Sequence, residues 1–586
     1  MSSFQGYGHL SQRAPPRSHK RRNLCVAGVS IIVVAAIVIG ILATVTRSHN
    51  GSSYDASSSG LGSGDGLSTT MRAITTICGP TDHKQACIDS LSQIVGNNAS
   101  ATALEPKELI AASVKATIKQ VTGALKLSDS MKATATNGTD GRRLEGAIAD
   151  CKQLLSFAID ELQDSFSDIS GNDMKSLPDR AYQLRVWLSA VLTYHETCVD
   201  GLDHPELKAT MRDGLANATV MTSNALAIIT EISKILSSFQ IPFSIPSRRL
   251  LETGFPEWLN EGDRRLLAGG GGVRPNAVVA KDGSGQYKKI SDAVAAIPEK
   301  FQGRWIIYVK AGIYEEKVTI PKDANNVFMY GDGARKTIVS GRLNYVDGTS
   351  TFQTATFTAL GDGFLCKSMA FSNTAGPEKH QAVAVLVKSD MAAFFNCRFD
   401  GYQDTLYAHS HRQLYRNCVV SGTIDFIFGD SAAVLQNCKI IVRRPMDNQQ
   451  NIVTASGRLD KRSTGGIIIH NCRIVPDKRL YPERLKFRTY LGRPWKEYAR
   501  TIVMESTLGD LIQPDGWMPW DGDFALKTLF YAEYGNKGPG AQTARRVKWS
   551  RVIKRSDALQ FTAGPFLQAR QWLPSTGVPY VLGLVH

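Results

Sequence analysis

The sequence lacks the residue spacings by which proteins most often bind metal ions. None of its 10 cysteines stands in a close CxxC pair, and neither an HExxH segment nor an EF-hand loop occurs. These absences exclude zinc modules built on cysteine pairs, HExxH metalloproteases and EF-hand proteins. We therefore expect no metal and no cofactor, and we interpret His380, which stands beside Gln381, as a structural residue rather than a ligand.

Acidic residues are too few to balance the basic ones. The chain of 586 residues carries 68 Lys and Arg against 53 Asp and Glu, a net charge of +15. The whole excess lies between Gly271 and His586, where 42 basic residues face 27 acidic ones. A basic half attracts anionic partners in a salt-dependent way. On charge alone, the partner could be nucleic acid, an acidic polysaccharide or an anionic membrane.

One apolar run is long enough to cross a membrane. It extends from Leu24 to Thr46 without a charge, follows Lys20, Arg21 and Arg22, and ends before Arg47. The run is longer than the core of an ordinary signal peptide, and its basic flank favours the cytosolic side. We predict a cytosolic N-terminus at residues 1–23, a transmembrane signal anchor at residues 24–46 and a lumenal remainder.

The lumenal side of a secretory membrane is oxidising, so disulfides are expected beyond the anchor. Candidate pairs in the region before residue 240 are Cys78 with Cys87 and Cys151 with Cys198. Lumenal exposure also fits N-glycosylation at the N-x-S/T triplets. The candidate glycosylation sites are Asn98, Asn137 and Asn217.

Composition and periodicity divide the lumenal part into segments. Residues 47–74 are rich in Gly and Ser and predict a tether that buries no core. From 75 to 240 apolar residues recur at helical spacing, as at Leu184, Leu188 and Val191. This second segment predicts an all-α helical bundle.

Residues 241–272 predict an exposed linker. They contain prolines, two Arg-Arg-Leu-Leu tetrapeptides at 248–251 and 264–267, and four consecutive glycines. Paired basic residues in an exposed lumenal segment are accessible to processing proteases. We expect a protease to cleave at one or both of these tetrapeptides and to separate the bundle from residues 273–586.

Helical periodicity is nearly absent beyond Val273, where short β-rich segments alternate with Gly, Asn and Asp. An Asn-Cys pair recurs at residues 396, 417, 437 and 471, and its first three copies are 21 and 20 residues apart. A β-rich unit repeated about every 20 residues predicts a stacked solenoid, here a right-handed parallel β-helix. Equivalent positions on adjacent rungs are about 4.8 Å apart, so Cys418 and Cys438 are a candidate disulfide.

The same repeat aligns two acids. Asp404 lies eight residues after Asn396, and Asp425 lies eight residues after Asn417, each among aromatic and apolar residues. Two carboxyl groups stacked on neighbouring rungs cannot easily both ionise, so one pKa should fall and the other should rise. This division suits acid-base hydrolysis, whereas aspartates that only cap turns would not need a common register.

Five segments in order resemble the signatures of pectin methylesterases, which remove methyl groups from homogalacturonan. Val385, where the family pattern usually has Leu, is the one visible departure. Residues 75–240 resemble the family's inhibitor-like pro-region with its cysteine pairs. The five matching segments are GIYEE at 312–316, QAVAV at 381–385, YQDTLY at 402–407, DFIFG at 425–429 and LGRPW at 491–495.

The resemblance implies roles for the two acids and a neighbouring amide. Asp425 would attack the C6 methyl-ester carbonyl and form an acyl-enzyme, and Asp404 would act first as acid and then as base. Gln403 and Gln381 would stabilise the oxyanion of the tetrahedral intermediate.

The resemblance also implies residues that bind the sugar chain. Arg493 would orient Asp425 and help to bind acidic sugar, and Trp495 would offer an apolar face to a sugar ring. Thr351 occupies a position that the family uses for substrate contact.

We therefore expect a pectinesterase that acts on methyl-esterified homogalacturonan and not on nucleic acid. It would be made as a membrane-anchored precursor in the secretory pathway and be secreted to the cell wall as a monomer. A pectin lyase, a glycosidase such as a polygalacturonase, and a silent pectin-binding or inhibitory wall protein are the alternatives. The helical region would be either an autoinhibitor or an aid to folding and targeting.

Overall fold

The computed structural model describes residues 64–97, 105–131, 138–243 and 274–586. The N-terminus, the predicted anchor at 24–46, the sequons at Asn98 and Asn137, and both Arg-Arg-Leu-Leu segments lie outside these ranges. Within the four ranges no helix combines the length and apolarity that a bilayer crossing requires. Asn217 is exposed on a helix.

The first part of the described chain is helical, as predicted. Its helices are α1 (Gly64–Cys78), α2 (Lys84–Asn97), α3 (Pro106–Ser130), α4 (Thr139–Gly171), α5 (Leu177–Gly201), α6 (Pro205–Thr230) and α7 (Ile232–Ser238). Helix α3 packs on α4 and α6, and α5 packs on the same two helices, so the four longest helices close into a bundle. Prolines near the starts of α3, α5 and α6 fit the first turn, where no intrahelical N–H bond is lost.

Helix α1 corrects the boundary of the predicted tether. The tether was expected to reach residue 74, but the helix already begins at Gly64. Ala73, Ile74 and Ile77 are buried on one side of this helix. Apolar residues at this spacing gain more from packing than the flanking Gly and Ser residues lose in entropy.

Both disulfides expected in the bundle are confirmed. Cys78–Cys87 joins α1 to α2, and Cys151–Cys198 joins α4 to α5. The second bond closes a separation of 47 residues. It ties together the two helices that contact the second part of the chain most extensively.

Residues 277–552 form a parallel β-helix of three sheets, which confirms the predicted fold. The first sheet contains 11 strands: β1 (Ala277–Val279), β2 (Trp305–Val309), β5 (Val327–Gly331), β8 (Leu365–Lys367), β11 (Ala392–Phe395), β14 (Arg412–Arg416), β17 (Ala432–Gln436), β20 (Gly466–His470), β23 (Arg500–Met504), β25 (Phe530–Tyr534) and β26 (Arg551–Val552).

The second sheet, called the site sheet below, contains seven strands: β4 (Val318–Ile320), β7 (Phe357–Ala359), β10 (Val385–Val387), β13 (Leu406–Ala408), β16 (Ile427–Gly429), β19 (Asn451–Ser456) and β22 (Thr489–Pro494). The third contains eight strands: β3 (Gly312–Glu315), β6 (Thr337–Gly341), β9 (Ala370–Asn373), β12 (Arg398–Asp400), β15 (Val419–Gly422), β18 (Lys439–Val442), β21 (Arg473–Pro476) and β24 (Thr507–Leu508).

The interior of the β-helix supplies its own core. Every buried residue of this core lies between Ala277 and Tyr531. Short helices α8 (Ile290–Ala295), α9 (Arg555–Leu559), α10 (Ala563–Leu567) and α11 (Ala569–Thr576) complete the described chain. Phe566, Leu567 and Trp572 from the last two pack on the outer face of the 11-stranded sheet.

The Asn-Cys repeat marks one turn of each rung. Asn396, Asn417, Asn437 and Asn471 have φ between 52° and 56°, a left-handed conformation that Asn tolerates better than most residues. The turns stack directly, since the backbone N–H of Asn417 donates to Gln436 and that of Asn437 donates to His470. Their side chains also stack, because Asn437 Nδ2 donates to Asn417 Oδ1 at 2.7 Å.

The predicted disulfide between Cys418 and Cys438 is wrong. Both are buried free thiols, as are Cys366, Cys397 and Cys472. The Sγ atom of Cys438 instead lies 3.3 Å from the backbone nitrogen of Cys418, and the Sγ atom of Cys418 points to the carbonyl of Phe394. The spacing of the rungs alone would permit a disulfide. The side chains of Cys418 and Cys438 instead point into the core, where they pack as small apolar residues.

The thiol count tests this correction. The chain from Gly64 to His586, unfolded without reductant, should expose five reactive thiols, because its other four cysteines are in disulfides. The native chain should react far more slowly, since all five thiols are buried and inaccessible to the reagent. Titration with a chromogenic thiol reagent measures both states. Three thiols in the unfolded chain would show a third disulfide and contradict the correction if peptide mapping placed it between Cys418 and Cys438.

Candidate active site

The two acids identified from the repeat lie on adjacent rungs of the site sheet. Parallel pairing of β13 with β16 sets Leu406 opposite Ile427, so Asp404 and Asp425 hold equivalent places two residues before each strand. Both have left-handed backbones, with φ of 64° and 49°. The backbone N–H of Asp404 donates to Ile424 at 3.0 Å. The register therefore brings the two carboxyl groups together, as the sequence predicted.

Arg493 holds Asp425 through both of its carboxylate oxygens. Its Nε donates to Oδ1 at 2.9 Å, and its Nη2 donates to Oδ2 at 2.6 Å. Both side chains are buried. A bidentate pair of this kind fixes the orientation of a carboxylate as well as its charge. Arg493 comes from β22, two strands beyond β16 in the site sheet, so its contact with Asp425 spans three rungs.

Asp404 has the opposite environment. Burial raises the pKa of its carboxyl well above the usual range, and the charge of Asp425 raises it further, while Arg493 lowers it less. Among the described residues, its Oδ2 has no hydrogen-bond partner. Burial beside a carboxylate favours the protonated form of a carboxyl group, so the environment of Asp404 suits a proton donor.

Gln381 and Gln403 lie beside the acids. The two residues pair as an isolated parallel bridge, and the next backbone N–H, that of Ala382, donates to Gln403. Both side chains belong to buried residues. Gln381 precedes β10 and Gln403 precedes β13, so both lie at the same edge of the site sheet as the aspartates. We call this the amino edge.

Thr351 lies in the segment that precedes β7, on a 3₁₀ helix at Thr351–Thr354. This places it toward the same edge but farther along the stack than the acids. Its role in substrate contact stays a prediction.

Aromatic side chains line the site sheet. Tyr407 stacks on Phe428 with ring centroids 4.1 Å apart, and Trp495 meets Phe428 edge-on at 5.9 Å. Trp520 covers the guanidinium of Arg493 at 4.2 Å from the ring centroid. Sequence reasoning missed Trp520, because its segment has no repeat register. The local signal available was the pair of tryptophans at positions 517 and 520.

Helix α5 lies on the other edge of the site sheet, where its strands end. Thr193 Oγ1 donates to Asp430 Oδ2 at 2.8 Å, and Thr197 Oγ1 lies 3.0 Å from His409 Nε2. The ring of Tyr194 stacks on His409 with centroids 5.6 Å apart. His409 follows β13 and Asp430 follows β16, directly beyond the strands that carry the acids. The bundle therefore covers this carboxyl edge of the site sheet.

Acidic residues of the bundle pair with basic residues of the β-helix. Glu161 Oε1 of α4 lies 3.2 Å from both Lys388 Nζ and His411 Nε2. Burial opposes ionisation of Glu161, but the charges of His411 and Lys388 lower its pKa to about 2. The pair is thus ionised over the whole physiological range.

Two further basic residues of the β-helix also pair with carboxylates of the bundle. Lys496 Nζ lies 2.5 Å from Glu196 Oε1 and 2.7 Å from Asp200 Oδ2, both on α5. Arg462 Nη1 lies 2.6 Å from Asp82 Oδ2, which lies between α1 and α2. The cationic surface that suggested a polyanionic partner is therefore partly occupied by the bundle.

Helix α4 also reaches the amino edge. Asp150 accepts hydrogen bonds from the Ser350 hydroxyl and, at 2.5 Å, from Gln353 Nε2, on either side of Thr351. Burial raises the pKa of Asp150 to about 6, against the lowering effect of these two donors and of Lys317. The bundle thus contacts both edges of the site sheet, and Asp404 and Asp425, at the amino edge, are buried.

Comparisons with known proteins agree with this architecture. The family model described as Pectinesterase matches residues 276–570, and the model described as Plant invertase/pectin methylesterase inhibitor matches residues 72–228. The chain is 41% identical to the Arabidopsis thaliana "Probable pectinesterase/pectinesterase inhibitor 21" over 99% of this chain and 84% of that protein. It is 42% identical to "Putative pectinesterase/pectinesterase inhibitor 45" over 99% of both.

A solved structure matches the β-helix alone. The pectin methylesterase from carrot is 50% identical with a TM-score of 0.53, and the match covers 54% of this chain and 100% of that one. The whole of that solved chain thus matches about half of this one. The chain belongs to the family of plant proteins that join a pectinesterase inhibitor domain to a pectinesterase domain.

Proposed function

We propose that the β-helix hydrolyses the C6 methyl esters of homogalacturonan, releasing methanol and leaving the sugar chain intact. The observation that carries this proposal is the asymmetric pair of acids: Asp425 is held by Arg493 as a carboxylate, and Asp404 is held protonated beside it. Ester hydrolysis through an acyl-enzyme needs one group of each kind.

In the first half-reaction, a carboxylate oxygen of Asp425 attacks the ester carbonyl carbon. The side-chain amides of Gln403 and Gln381 donate hydrogen bonds to the oxyanion that develops. Asp404 gives its proton to the methoxide oxygen as the C–O bond breaks, and methanol leaves. The product is an anhydride between Asp425 and the galacturonate carboxyl group.

In the second half-reaction, Asp404 acts as the base. Its carboxylate takes a proton from water, and the resulting hydroxide attacks the anhydride. The anhydride opens to the carboxylate of Asp425 and a galacturonic acid group, which loses its proton to solvent, while Asp404 keeps the proton taken from water. The aromatic surface formed by Tyr407, Phe428 and Trp495 offers apolar faces for the sugar rings.

We infer that the bundle inhibits this reaction until it is removed. Its contacts with Asp430, His409 and Lys496 occupy the carboxyl edge, and those with Ser350 and Gln353 occupy the amino edge. A polymeric substrate that crosses the site sheet would meet these contacts. A bundle that serves only folding or targeting would not need to cover both edges.

The remaining proposals concern the processing and location of the precursor. We propose a membrane anchor at 24–46, glycosylation at Asn98, Asn137 and Asn217, cleavage at the Arg-Arg-Leu-Leu segments, and a monomeric product in the cell wall. These follow from the apolar run, the sequons and the dibasic pairs. The proposed domain limits remain 75–240 and 273–586, with α1 added to the bundle.

Replacement of Asp425 by Asn tests the chemistry. The fragment from Val273 to His586 should release methanol from highly methylated pectin, and Asp425→Asn should lower kcat by at least about 10⁴-fold, because it removes the nucleophile. Arg493→Lys should lower kcat by roughly 10²-fold, because a lysine cannot make the bidentate contact.

Chain length must be measured in the same reaction. Size-exclusion chromatography should show unchanged polymer length while methanol accumulates. Scission of the polymer would point to a lyase or a glycosidase. A folded fragment that binds pectin without releasing methanol would favour a silent binding protein. Near wild-type activity in Asp425→Asn would remove this residue from the mechanism.

Neutralising the acids of α5 tests inhibition. In the chain from Gly64, Glu196→Gln with Asp200→Asn should raise methanol release toward that of the fragment, because Lys496 loses both carboxylates. Glu206→Gln with Asp213→Asn is the matched control, since both residues are exposed on α6 and the charge change is the same. Full activity of the unaltered chain, equal to that of the fragment, would contradict inhibition by the bundle.

The pKa of Asp150 makes inhibition depend on pH. Because this pKa is about 6 in the covered state and 3.8 ordinarily, the covered state binds the proton more tightly. Its advantage is complete below about pH 4 and is lost as pH rises through 6, a change of about 3 kcal/mol. Activity of the chain from Gly64, relative to the fragment, should therefore rise between pH 5 and 7.

Asp150→Asn should flatten this rise, whereas Asp213→Asn should leave it unchanged. Asp430, whose pKa burial raises to about 7, adds a slope of the same sign that remains in both variants. A relative activity that falls with pH in the unaltered chain would show that Asp150 does not control the contact.

A further inference from the structure

Lys496 lies at the carboxyl edge of the site sheet and has no part in the mechanism above. It follows Trp495 directly after β22, the strand that carries Arg493. Its ammonium lies 5.2 Å from the centre of the Trp495 ring. It stands three positions after Arg493 in the chain, a reach of about 10 Å at most between Cα atoms.

Both carboxylates that pair with Lys496 belong to the bundle. Glu196 and Asp200 lie one turn apart on α5 and leave 13% of the lysine side chain exposed. Helix α5 thus places two carboxylates on a cation that lies next to a sugar-sized aromatic face. Removing the bundle removes both partners and returns the cation to the open site sheet.

Lys388, a buried lysine of the same interface, differs in this respect. Besides Glu161 of the bundle, Asp362 and Asp390 of the β-helix itself act on Lys388. Its charge therefore keeps partners when the bundle leaves. The largest charge effects on Lys496 come from Asp200 and Glu196, both of the bundle. An exposed cation beside an aromatic face suits the carboxylate of a uronic acid, where charge and ring stacking combine.

We propose that Lys496 binds the free carboxylate of a galacturonate unit close to the unit whose ester is hydrolysed, and so favours esters that flank already de-esterified sugar. Glu196 and Asp200 occupy the place of this carboxylate in the uncleaved chain. The inference rests on the proposed function, which supplies the polymer and produces the carboxylates. It adds a residue that selects among substrates by their pattern of methylation.

Binding of a short, fully de-esterified oligogalacturonate tests the proposal without any reaction. The fragment from Val273 has its own core and a solved relative of the same extent, so it is the form to use. Lys496→Met should weaken calorimetric binding roughly tenfold, the effect of losing one charge-assisted hydrogen bond. Lys496→Arg should retain most of the affinity, because it keeps the charge.

Lys439→Met is the matched control. Lys439 is exposed on β18 in the third sheet, away from the site sheet, and the variant changes the net charge equally. It should bind the oligogalacturonate within about twofold of the unaltered fragment. Equal weakening by Lys496→Met and Lys439→Met, or no weakening by Lys496→Met, would overturn the proposal. Melting temperatures establish that each variant is folded.

Methanol release separates this proposal from the proposed function. Lys496→Met should lower kcat/KM roughly tenfold on partly de-esterified pectin and leave it unchanged on fully methylated oligomers, which offer no carboxylate. Equal kcat/KM losses on both substrates would assign Lys496 a general structural role and overturn the inference. An unaltered fragment that releases no methanol from either substrate would overturn the function, and the binding assay would still decide the role of Lys496.

Discussion

The parallel register between neighbouring rungs is the constraint on which the rest of this structure depends. It sets Leu406 opposite Ile427 in the site sheet and Val419 opposite Lys439 in the third sheet. Every residue type that recurs with the rung period therefore forms a column. One register builds the stacked turns, the buried column of thiols and the pair of acids, so it serves stability and chemistry together.

The two acids that this register brings together have different electrostatic environments. Asp425 receives two hydrogen bonds from Arg493, while the burial of Asp404 beside a carboxylate raises its pKa. Some basic residues of the β-helix are paired with acids on α4 and α5, as at Lys388 and Lys496. The bundle therefore contacts the β-helix through carboxylates, as an acidic polysaccharide would.

The sequence was sufficient for the features that depend on local periodicity. The spacing of Asn396 to Asp404, repeated from Asn417 to Asp425, predicted that the acids stack, and the register confirms it. Helical spacing predicted the bundle in the same way. Residues 64–74 of α1 were missed, because Gly and Ser at its start suggested a tether and its apolar face lies further along.

Features that depend on side-chain direction or on distant contacts could not be predicted. The rung period brings Cys418 and Cys438 close, but it does not say that their sulfur atoms point into the core. Lys496 contacts Glu196 of α5, which is 300 residues away in the sequence. No pattern in either segment indicates this contact. Trp520 reaches Arg493 from a segment outside the repeat.

The protonation state of Asp404 tests the account most directly. Infrared difference spectroscopy on the chain from Gly64, with and without Asp404→Asn, measures the C=O band of a protonated carboxyl group at neutral pH. The account predicts a band that Asp404→Asn removes and that persists in Asp425→Asn. A band that survives Asp404→Asn but disappears in Asp425→Asn would reverse the roles of the two acids and contradict the mechanism.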